Sequence, residues 1–237
     1  MGSSDPADRV TGERLPLSLS QREVWLDQQA WPESVHLNIG GYGFFVGSLD
    51  VACYQAALTL LAAENDALRL VPQADGSQIL LDRFEPQLEI VDLPGNGDSR
   101  LAMQAWWRQR MGEPYALAAR PPWRFTLLRG GDGQVGVTIQ FHHLIMDGWG
   151  TARLARRWSE IHDALLQGRS PPPVAAPNYR AFIAESLAYR NSSAFARDGA
   201  YWRAQLPALP PTLVERRFAP SGARHLPRAL LAVQPIA

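Results

Sequence analysis

The spacing of apolar residues changes period along the chain, and each change marks an element. In "SLDVACYQAALTLLAAENDALRL", Val51, Tyr54, Leu58 and Leu61 recur at three- and four-residue steps behind Asp50, a helix-capping residue type. This predicts a helix. The same period predicts helices over Ser99–Met111 and from Trp149 to about Leu166, the latter with Leu154, Trp158, Ile161 and Leu165 on one stripe. An earlier helix starts at Ser18 or Ser20, carries Val24, Trp25 and Gln28, and is broken by Trp31-Pro32. Two more lie near Tyr179–Tyr189 and Ala194–Gln205. Apolar runs of strand length occupy Gly40–Val46, Gln78–Leu81 (after the Asp75-Gly76 turn), Leu88–Val91, Trp123–Leu128 and Val135–Phe141. The last two flank "RGGDG", the strongest hairpin signal in the chain. The pattern predicts an α/β sandwich, a mixed sheet with a hairpin packed against helices, rather than a doubly wound parallel sheet.

Residues 1–14 are polar and read as a disordered tail, with "MGSS" equally compatible with a native start and a cloning remnant. "SPPPVAAP" reads as a stiff connector, and "ALLAVQPIA" at the end as a strand without a visible partner. A chain of 237 residues can bury a sizeable core. Lysine plus arginine equals aspartate plus glutamate at 23 each, with no long run of one sign, which argues against a nucleic-acid partner. Cys53 is the one cysteine, so no internal disulfide or cysteine-based zinc cluster forms, and its place on an apolar helix face reads as packing. No apolar run is long enough to span a bilayer and the N-terminus lacks a signal-peptide pattern, so the expectation is a cytoplasmic protein with no membrane partner.

The chemistry concentrates in "QFHHLIMDGWG", residues 140–150, at a strand-to-helix junction. Successive strand side chains face opposite sides, so His142 and His143 cannot both reach one metal ion while the strand persists. Proton transfer accounts for more: one imidazole can face a cleft while its neighbour points into the fold. Gly148 opens the following helix, where a bare N–H can approach a ligand and the helix end favours negative charge. Asp147, on the turn, needs an arginine or backbone donors if it is buried.

"HHLIMDG" matches the HHxxxDG motif, and the chain resembles the condensation domains of nonribosomal peptide synthetases, within the chloramphenicol acetyltransferase-like superfamily. "SLSQREVWLDQQ" is similar to the family's opening motif, with Glu23 where arginine is usual. "AAENDALRL" resembles RHExLRTxF with Asn65, Asp66 and Leu70 substituted and Leu68 and Arg69 kept, while "NYRAFIA" is a weak match and "YWRAQL" resembles YWxxxL. The resemblance covers about residues 15–234, half of such a domain, so residues 15–237 read as its N-terminal lobe without the second lobe.

The resemblance implies secondary metabolism, with lipopeptide biosynthesis as one outcome. An amide forms between a donor acyl thioester and the amine of an aminoacyl acceptor, both on phosphopantetheine arms of carrier protein domains. No cofactor binds the lobe directly. It implies His143 as the catalytic residue that takes the amine's proton or orients the amine, and Gly148 as the oxyanion donor. His142 and Asp147 would be structural, Asp147 paired with Arg69, and Trp202 would pack beneath the site. If Met1 is the natural start, a starter domain taking acyl-CoA or an acyl carrier as donor follows. An epimerisation domain, a stand-alone acyltransferase of the superfamily, and a non-catalytic structural or carrier-binding module remain open.

Overall fold

The computed structural model describes residues 11–45, 49–94, 97–174 and 178–206. The elements are β1 (Gly12–Pro16), α1 (Leu19–Ala30), β2 (Asn38–Phe45), α2 (Val51–Glu64), a 3-10 turn (Asp66–Arg69), β3 (Leu70–Pro72), β4 (Ser77–Leu81), β5 (Glu89–Asp92) and α3 (Ser99–Met111). The hairpin β6 (Trp123–Arg129) and β7 (Val135–His142) follows, then α4 (Gly148–Leu166), α5 (Tyr179–Arg190) and α6 (Ser193–Gln205). A four-stranded mixed sheet has the order β2-β7-β6-β5, antiparallel except for the parallel β5–β6 pair. A smaller antiparallel sheet has the order β1-β4-β3.

Two strands differ from expectation. Gly12–Arg14, read as tail, belong to β1, whose side chains are exposed except Leu15. Its order comes from backbone pairing with β4, Gly12 opposite Leu81 through Pro16 opposite Ser77, so no apolar alternation announces it. Strand β3 is three residues long, too short to show a period, and forms because the turn at Gly76, with φ +77°, folds it back onto β4. The strand-like tail "ALLAVQPIA" lies outside the described residues.

Helices α2 and α4 cover one face of the larger sheet. Tyr54, Leu58 and Leu61 of α2 and Leu154 and Ile161 of α4 bury against Trp123, Phe125 and Leu127 of β6 and Phe141 of β7. Helix α3 covers the other face through Met103 and Trp107. Gly40 must be glycine there, because a Cβ would stand 2.8 Å from Trp107 and 2.2 Å from the Ile139 carbonyl oxygen. Cys53 is partly buried, its thiol donating to the His162 carbonyl at 3.7 Å.

The expected ion pair between Arg69 and Asp147 does not form. Arg69 is taken by Asp66, three residues back in the 3-10 turn, at 2.6 Å, and donates to the carbonyls of Leu81 and Asp82. Asp147 is exposed and spent on the helix that follows it. The tie between α2 and α4 is made instead by Glu64 and Arg157, whose guanidinium grips both carboxylate oxygens at 2.8 and 2.7 Å and reaches the Pro172 carbonyl at 2.8 Å. Arg157→Ala should cost about 3 kcal/mol, the low end for a buried pair because Glu64 keeps one edge in water. Urea unfolding checks this, and joint replacement by Glu64→Leu and Arg157→Met should cost less than Arg157→Ala, since neither charge is then stranded.

Candidate active site

The His-His turn is built from both sheets and the first helix. Strand β7 ends at His142, opposite Asn38, and the chain turns through an Ile145 N–H to His142 carbonyl bond of 3.1 Å. His142 is 2 % exposed, whereas His143 is exposed to solvent. Strand alternation thus separates the two rings as expected. The His142 Nε2–H donates to Gln28 Oε1 at 2.9 Å, and His142 Nδ1 accepts from the Leu144 N–H at 3.1 Å. One nitrogen donates and the other accepts, which is the neutral tautomer. Burial, and secondarily the nearness of His143 and His36, pushes the His142 pKa down to about 4. The Tyr115 ring meets it edge-on at 6.1 Å and 89°.

Gln28 is itself fixed, its amide N–H groups directed at the carbonyls of Trp31, Pro32 and Ser34 at 2.9, 3.1 and 3.3 Å. A second glutamine grips the turn from the other side. Gln21 donates to the Leu144 carbonyl at 3.1 Å and pairs amide-to-amide with Gln78 of β4 at 2.9 Å. Gln21 also completes a capping box with Ser18, which starts α1. The small sheet therefore acts on the turn through Gln21, which Gln78 holds in place. Gln21 and Gln28 were visible in the sequence as members of the opening helix and its motif, and Gln78 only as the first residue of a strand, with no sign of its role at the turn.

At the start of α4, Asp147 is the N-cap, its Oδ1 accepting from the Gly150 N–H at 2.6 Å. Gly150 must be small, because a Cβ there would lie 2.7 Å from the Met146 sulfur and 3.1 Å from that Oδ1. The Thr151 N–H goes to the Asp147 carbonyl. Among the described residues, the Gly148 and Trp149 N–H groups have no acceptor, and they point from the positive end of a 19-residue helix. A Cβ on Gly148 would meet nothing within 4 Å, and Trp149 is 74 % exposed. An exposed imidazole and unpartnered amide donors at the two ends of one turn are groups of the kinds that accept a proton and stabilise an oxyanion.

Trp202 does not lie beneath this turn. It is 61 % exposed on α6, which buries none of its own residues and, among the described residues, packs against α5. The described residues hold no cluster of three metal-ligating side chains, and no helix among them is long and apolar enough to cross a membrane.

The family model for the condensation domain matches residues 12–224. The chain belongs to the condensation-domain family. It is 31 % identical over 96 % of its length to the isonitrile lipopeptide synthase of Streptomyces coeruleorubidus. It is 33 % identical over 84 % to a probable non-canonical nonribosomal peptide synthetase, CymA, of Salinispora arenicola (strain CNS-205). The chain spans 16 % and 3 % of those two proteins. In structure it matches the starter condensation domain of rhizomide synthetase RzmA, in a mutant complexed with C8-CoA, at TM-score 0.77 and 29 % identity, over 86 % of this chain and 48 % of that one. The first condensation domain of the calcium-dependent antibiotic synthetase, complexed with a substrate analogue, matches at TM-score 0.73 and 26 % identity. The mixed sheet packed against helices is the architecture of these condensation domains.

The buried His142 sets a pH dependence. Its folded pKa lies below the unfolded value, so its contribution is fully present above about 6.5 and is lost as pH falls towards 4. The loss amounts to roughly 3 kcal/mol. Denaturant unfolding between pH 7 and 4 should show a steeper fall for the wild type than for His142→Gln; equal slopes would contradict a buried neutral imidazole.

Proposed function

We propose that this chain supplies the histidine-bearing half of a condensation domain, which joins a donor acyl group to the amine of an aminoacyl group on a carrier protein. The acceptor enters on a phosphopantetheine arm, and the other half of the domain closes over the turn. The observation that carries this reading is the division of labour between adjacent histidines: the His142 ring is buried and hydrogen-bonded at both nitrogens, whereas His143 is exposed on the turn that leads to the unpartnered Gly148 N–H.

In the proposed reaction the acceptor amine attacks the donor thioester carbonyl, and the carbonyl oxygen becomes an oxyanion facing the Gly148 N–H. His143 takes the amine proton or orients the amine for attack. Collapse of the intermediate breaks the C–S bond, and the proton ends on the departing thiol. Holding both substrates in place supplies much of the acceleration. Asp147 acts indirectly, by capping α4 so that the Gly148 N–H stays unpartnered. Arg69 acts further away, by bracing the 3-10 turn against β4. The donor is an acyl-CoA or acyl carrier, as in a starter domain, a choice supported by the likeness to the RzmA starter domain bound to C8-CoA.

Reconstitution of the intact domain with octanoyl-CoA and a loaded acceptor carrier tests this. His143→Ala should lower kcat at least ~100-fold without shifting Tm, whereas His142→Ala should lower Tm. A well-folded His143→Ala domain that turns over within a few-fold of wild type would refute the assignment, and condensation only with carrier-bound aminoacyl donors would refute the starter type.

A further inference from the structure

The α3 face of the larger sheet holds a polar layer whose groups outnumber their partners. Among the described residues seven buried side-chain atoms have no hydrogen-bond partner, and four of them belong to this layer: Arg110 Nε, Arg124 Nε, the Tyr115 hydroxyl and Gln140 Oε1. The four residues are joined to one another. Arg110 and Arg124 both reach Glu113 Oε2, at 2.7 and 3.5 Å. The Arg124 guanidinium lies 4.5 Å over the Tyr115 ring. Gln140 stands opposite Arg124 across the β6–β7 pair, donates to the Arg110 carbonyl at 3.0 Å and is 1 % exposed. The nearby carboxylates, Glu113 and Glu89, meet the terminal guanidinium nitrogens rather than either Nε.

Unpaired buried polar atoms are costly, so a cluster of four marks the seat of a small bound molecule. The chemistry of the four groups selects its class. Each Nε–H only donates and Gln140 Oε1 only accepts, while burial pushes the Tyr115 pKa up, so its hydroxyl keeps its proton and can do either. An anion would face the Gln140 oxygen and the Glu113 carboxylate, and a cation would face two guanidinium groups. Water donates and accepts, and a buried water ordinarily makes about three hydrogen bonds. A cavity of about 70 Å³, lined by Glu89, Trp106, Gln109, Arg110 and Glu113, adjoins the cluster through Arg110 and Glu113. It has room for more than one water, and Gln109 at its wall is exposed to solvent. We propose that Arg110 Nε, Arg124 Nε, the Tyr115 hydroxyl and Gln140 Oε1 form a buried hydration site, filled through this cavity, that ties the end of α3 and residues 112–122 to β6 and β7. Tyr115, whose ring meets His142, is thereby held by bound solvent as well as by packing. The site does not depend on the role of His143.

Crystals of this chain at high resolution should show ordered water within about 3.2 Å of at least three of the four atoms. In solution, the Arg110 and Arg124 Nε–H protons should cross-relax with a long-lived water and exchange with bulk solvent at least ~10-fold more slowly than that of the exposed Arg153. Tyr115→Phe, which removes the hydroxyl alone, should speed this exchange about fivefold, the effect of one lost hydrogen bond. The wild-type measurements decide the matter even where the variant folds poorly. Either Nε–H bonded directly to a protein oxygen, no water cross-peak, exchange as fast as at Arg153, or a folded Tyr115→Phe with unchanged exchange would overturn the site. Bromide soaking separates water from an anion: an anomalous peak among the four atoms would equally overturn it.

Discussion

The arrangement at the turn depends on one hydrogen bond, from the His142 Nε2–H to Gln28 Oε1. It fixes the tautomer, which leaves Nδ1 free to accept the Leu144 N–H, and that second bond bends the chain out of β7. A protonated His142 would have a donor at Nδ1 facing another donor, so the bend and the neutral ring require each other. Gln28 can hold its oxygen towards the ring because its nitrogen is committed to three carbonyls at the end of α1. The exposed position of His143 is thus set by the buried His142 and Gln28 next to it.

The same logic explains which parts of the molecule were legible in its sequence. Helices α2 and α4 bury a continuous apolar stripe, and the stripe shows in the spacing of Tyr54, Leu58 and Leu61 and of Leu154 and Ile161. The hairpin announces itself because Gly133 must take φ +80°. Strand β1 is held by backbone pairing, and backbone pairing leaves no trace in side-chain pattern. The separation of His142 from His143 followed from strand geometry alone. Their glutamine supports did not, because an amide that satisfies buried carbonyls looks in sequence like any other polar helix residue.

The charged pairs illustrate a further limit. An ion pair between Arg69 and Asp147 was expected, but Arg69 pairs with Asp66 instead, and the ion pair that joins α2 to α4 is a different one, Glu64 with Arg157. Local competition decides such cases. Asp66 lies one 3-10 turn from Arg69 and reaches it at little conformational cost, whereas Asp147 is more valuable as the cap of a long helix. Trp202 shows the converse: the resemblance implied a packed residue beneath the site, yet among the described residues it stands 61 % exposed on α6 with its ring against Tyr201.

Polar and apolar packing fall on opposite sides of β7. On the α3 face Gln140 donates to the Arg110 carbonyl and Asn38 to the carbonyls of Met111 and Glu113, so a shift of this side would strand buried polar atoms, although Gln140 Oε1 itself has no partner among the described residues. The α4 face of β7 carries Val135, Val137 and Ile139, which pack against the core by apolar contact. Alternation along a single strand thus sets hydrogen-bonded polar residues on one face and apolar residues on the other, and His142 belongs to the polar face.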